Sequence, residues 1–136
     1  MKVVTIALMT LRASVLLALV LGIIFWVNPA LPEQNQALKD THMALGFLVV
    51  LALWLIGLAQ GFVEGGGSFG LALGTFLAGL AIAIVGIWQG NWKEAGANVQ
   101  LVNLIHLLLG LSAIGFGEMI VGRTKRRARE QSSASA

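Results

Sequence analysis

A chain of 136 residues that is 57% hydrophobic and only 11% charged, with a mean hydropathy of +0.86, lies outside the composition of soluble domains. Its sequence pI near 10.0, with a net charge of +3, raises nucleic acid as a partner, but the basic residues crowd into 123–129, directly after an apolar stretch, where they read as a cytoplasmic anchor beside anionic headgroups. The absence of cysteine excludes disulfide frameworks, thiolate metal sites and covalent c-type haem attachment.

A bilayer crossing takes roughly 20 apolar residues of helix, so the charge-free stretches 13–27, 43–63, 69–92 and 100–117 each predict one span. The first follows Lys2 and Arg12, as the apolar part of a signal peptide would. Asn28-Pro29-Ala30 lacks the paired small residues of a cleavage site, and the helix is expected to be retained. Residues 28–41 predict an outer loop with Lys39 as its only basic residue. Residues 64–68, Glu-Gly-Gly-Gly-Ser, predict a tight cytoplasmic turn, and 91–99 a second outer loop with only Lys93. The basic run after the last span then places both termini in the cytoplasm.

An offset of 64 residues maps one half onto the other: Gly22 onto Gly86, Gln36 onto Gln100, His42 onto His106, Leu45 onto Leu109 and Gly46 onto Gly110. Leucine matches are cheap in this composition. The histidine match is not, because these are the chain's two histidines and each has glycine at i+4. The expected fold is an all-α membrane protein, a bundle of four transmembrane helices made from a duplicated two-helix unit. Residues 1–68 form the first unit, 69–126 the second, and 127–136 a disordered cytoplasmic tail. Each unit crosses twice, so the copies share one topology, and His42 and His106 face one another across an axis along the membrane normal.

A polar, ionisable side chain within a membrane is costly without a partner, which makes this pair a candidate site. A haem on the axis would take one imidazole on each side of its iron, and a four-helix bundle is a natural container for it. Gly46 and Gly110 lie one turn below the histidines on the same face, where a larger side chain would strike a porphyrin. Gly22 and Gly86, at a similar level on the preceding helices, are expected to admit the porphyrin edge. The ring nitrogen not bound to iron is expected to donate to a backbone carbonyl or polar side chain. Lys39, Gln36, Gln100, Asn103 and Lys93 are the polar residues available to outward-pointing propionates.

On His42, Gly46, His106, Gly110 and the four-helix layout, the chain resembles the small integral-membrane b-type cytochromes. That resemblance implies haem b and one-electron transfer, with a redox or membrane-protein partner, because one haem near the outer face does not span the bilayer.

Other readings stand beside it. The histidines can serve helix packing, with the chain a cofactor-free accessory or scaffold subunit of a larger complex, as Gly74, Ala78 and Gly79 also suggest. A lone metal ion has two imidazoles and little else, with Asp40 the nearest carboxylate. A small transporter fits the duplication, but no predicted span has a charge near its middle. Glu118 reads as snorkelling to the inner interface, and Trp26, Trp88 and Trp92 as aromatic anchors. The run 64–68 lacks the Lys-Ser/Thr ending of a phosphate loop, and no nucleophile triad is present.

Overall fold

Uninterrupted apolar sequence punctuated by Asn, Pro, Ser and Gly dictates long helices with short joints. The computed structural model describes residues 2–61 and 68–134. In chain order these form α1 (Lys2–Val27), the one-turn α2 (Leu31–Gln34), α3 (Gln36–Gly61), α4 (Phe69–Glu94) and α5 (Val99–Ala134), with no strand among the described residues. Four of them are long and apolar enough to cross a membrane: Val3–Val27, Gln36–Gly61, Phe69–Glu94 and Val99–Arg127.

The joints have specific causes. Pro32 opens α2, where its missing N–H costs nothing. The Asn35 side chain then accepts from Leu38 N at 3.2 Å and starts α3 at once. Asn98 does the same for α5, accepting from Leu101 N at 3.1 Å, after a turn in which Gly96 takes φ +89°. Ser68 caps α4 by accepting from Leu71 N. The rest of the predicted cytoplasmic turn, 64–67, lies outside the described residues.

Three sequence expectations need correction. The segment 28–41, expected as an outer loop, is mostly helical, because the Asn35 cap lets α3 begin at Gln36. His42, expected just before its span, therefore sits about 10 Å inside α3, much as His106 does in α5. The segment 127–136, expected as a disordered tail, continues α5 as far as Ala134, helped by an i,i+4 ion pair in which Arg126 Nε lies 2.9 Å from Glu130 Oε1. Arg12 does not mark the start of the first span but lies within the apolar helix Val3–Val27.

The long helices form a ring in which α1 packs on α3, α3 on α4, α4 on α5 and α5 on α1, with α3 and α5 also touching across the short diagonal. Neighbours run antiparallel, since the end of α1 meets the start of α3 at Gly22 and His42, and the end of α4 meets the start of α5 at Gly86 and His106.

The core is confined to one end. Leu8, Leu11 and Val15 of α1 pack with Val49, Val50, Leu53 and Ile56 of α3, Ile82 of α4, and Ala113 and Ile120 of α5. Hydrophobic burial does not drive association between helices in lipid, so close backbone approach must supply the contact. Gly57 sits against Thr75, Gly79 against the Trp54 indole, and Gly117 against Leu11, leaving no space for a Cβ at any of the three. At the other end the packing loosens. No residue of α1 after Val15, of α3 before Val49 or of α4 after Ile82 is buried, and α5 buries only Val102 before Ala113.

Candidate functional site

The loosely packed end is the one that holds the histidines. His42 and His106 project from the parallel helices α3 and α5, and their ring centres stand 6.2 Å apart with the planes tilted by 56°. Two imidazoles bound to one iron through bonds of about 2.0 Å, each nitrogen about 1.15 Å from its ring centre, place those centres about 6.3 Å apart. Any tilt between the planes is compatible, because each plane contains its own bond to the metal.

Each ring is seated by a glycine of the preceding helix. A Cβ on Gly22 would lie 3.4 Å from His42 Cε1, and one on Gly86 would lie 3.3 Å from His106 Cε1. These glycines let the imidazoles lie against the backbones of α1 and α4. Phe25 adds an edge contact to His42, with centroids 5.5 Å apart.

Gly46 and Gly110 behave differently. Both are half-buried, yet a Cβ on either would meet no atom within 4 Å. Each therefore has open space one turn from its ring, as Gly74, Gly90 and Gly115 have elsewhere on the helices. The Nδ1 atoms of both histidines are buried with no hydrogen-bond partner among the described residues. His42 is also hydrogen-bonded to the backbone of Ala18, so the ring nitrogen left without a partner is Nδ1. An unsatisfied buried nitrogen costs about 1–3 kcal/mol, which a ligand would relieve. Two imidazoles with open space one turn from each would suit a haem iron, which would supply redox chemistry there. No cluster of three or more His, Cys, Asp or Glu that could hold a bare ion occurs among the described residues.

The polar residues near this end are not equivalent. Gln100 Oε1 accepts from Trp26 Nε1 at 2.7 Å, tying α1 to α5, and Gln36 Nε2 donates to Asp40 Oδ1 at 2.7 Å within α3. Lys39 is exposed, whereas Lys93 and Asn103 are half-buried.

A second polar feature lies at the tightly packed end and is absent from the sequence expectations. Arg12 forms an ion pair with Glu118, its Nε donating to Oε1 at 2.6 Å, and joins α1 to α5. Arg12 is about 22 Å along the helix from Val27, inside a hydrocarbon core of roughly 30 Å, so Glu118 is its counter-ion rather than a lone snorkelling carboxylate. The offset of 64 places Arg12 on Phe76 and Glu118 on Trp54, and those two rings stack with centroids 4.9 Å apart at the α3–α4 contact. An unpaired Arg inside a 25-residue apolar helix was the signal available in the sequence.

No protein-family model matches the chain, and comparison with curated proteins and with solved structures finds no match.

Proposed function

We propose that this is a membrane-embedded b-type cytochrome, or a cytochrome-like subunit, in which His42 and His106 hold a single haem b and pass one electron at a time to a membrane or redox partner. The observation that carries this reading is the 6.2 Å between the two ring centres, close to the spacing that two imidazoles facing one iron would have. The open space at Gly46 and Gly110 and the unpartnered Nδ1 atoms support it. When bound, the haem supplies the redox-active iron. The protein would hold the imidazoles at that spacing and set them against Gly22 and Gly86. The proposal includes descent from a duplicated two-helix unit, with both termini in the cytoplasm and the haem nearer the outer face.

The test is an absorbance spectrum of the protein purified from cells supplied with haem precursor, with haem quantified against protein. One haem per chain with a low-spin reduced spectrum is expected. A colourless protein that takes up no haem on reconstitution would overturn the reading in favour of a cofactor-free scaffold subunit.

A further inference from the structure

The two halves of the site match in their histidines and glycines but not in what stands above them. On α4, Gly86, Gln89 and Lys93 share the face turned to His106, since steps of three and seven residues return to one side of a helix. The offset of 64 puts Phe25 opposite Gln89 and Pro29 opposite Lys93. One flank is therefore apolar, with Phe25 edge-on to His42, while the other carries an amide and an ammonium. Lys93 is half-buried, lies within electrostatic reach of His106, and has no carboxylate at ion-pair distance among the described residues. A partly desolvated ammonium without a counter-ion is unfavourable, and an anion in the opening beside His106 would relieve it. Lys39, the other lysine near this end, is exposed.

We propose that Lys93 is the counter-charge for a propionate of the group held between His42 and His106, so that the haem sits in one orientation, with its acidic edge on the α4–α5 flank and apolar substituents against Phe25. This rests on the haem reading above and goes further by breaking the twofold equivalence of the site. A positive charge beside the acidic edge helps retain the haem and disfavours the ferric state relative to the ferrous.

The experiment uses the full-length haem-loaded protein and compares Lys93→Gln, Lys93→Arg and Lys39→Gln with the unaltered chain. It measures haem content, the rate of haem transfer to excess apomyoglobin, and the midpoint potential. Lys93→Gln is expected to speed haem loss and lower the potential, Lys93→Arg to restore both, and Lys39→Gln to change neither. If the unaltered chain holds haem and Lys93→Gln matches it in both measurements, the assignment of Lys93 is overturned while the haem reading stands. An equal effect of Lys39→Gln would also overturn it, because the charge would then act without a preferred flank. An unaltered chain that takes up no haem removes both readings together.

Discussion

Glycines in this protein divide into those that hold helices together and those that leave space, and the two groups should respond to substitution in opposite ways. A Cβ at Gly57 would overlap the buried Thr75 side chain, which already donates to Ala72 O at 2.8 Å, so Gly57→Leu should lower thermal stability in detergent by about 1–3 kcal/mol. Gly46→Leu and Gly110→Leu meet open space instead. They should leave the melting temperature of the haem-free protein within experimental error while sharply reducing haem content. Unchanged haem content in both variants would show that the porphyrin does not lie there. The histidine pair and its i+4 glycines were legible in the sequence because histidine is rare in it and the repeat doubled the signal. That Gly22 and Gly86 seat the rings was not legible, since the 64-residue match gives equivalence but not the rotation of one helix against the next.

Between helices, the 64-residue correspondence links contacts that differ in chemistry. Arg12 and Glu118 join α1 to α5 by charge, whereas Phe76 and Trp54 join α4 to α3 by stacking, with Trp54 Nε1 also donating to Phe76 O at 3.2 Å. Removing one partner of the ion pair strands a charge at membrane depth, so Arg12→Phe and Glu118→Trp should each destabilise the bundle. The double variant, which copies the other half, should recover a large part of the loss, with a coupling of about 1 kcal/mol or more in a thermal-melt cycle. Strictly additive losses would mean that the pair is not coupled. Caps belong to this scale too: Asn98→Ala leaves the first turn of α5 without its side-chain acceptor and should cost about 1 kcal/mol. The four long helices and their order were readable from hydropathy, which lipid enforces. Helix boundaries were not, because Asn35 and Asn98 start α3 and α5 from positions read as loop, and because Arg12 was taken as the edge of a span that continues past it.

At the scale of the whole molecule, a packed end and an open end divide the labour. The interlocked core around Leu11, Leu53, Ile56 and Ile120 holds four helices in register, and the loosened end leaves α3 and α5 free to present His42 and His106 to one another. The basic residues 123–129 follow the packed end, so the proposed orientation puts that end in the cytoplasm. A single cysteine introduced at Asn98 should react with an impermeant maleimide added outside intact cells, and labelling only after permeabilisation would reverse the orientation. The division itself could not be read from the sequence, since it depends on how closely side chains from distant segments meet. The central claim, that the open end holds one haem between two equivalent histidines, is tested most directly by electron paramagnetic resonance of the oxidised protein and its two single variants. The unaltered chain should give a low-spin signal of one bis-imidazole haem per molecule, and His42→Ala and His106→Ala should each abolish it. A low-spin signal that survives either substitution would contradict the account.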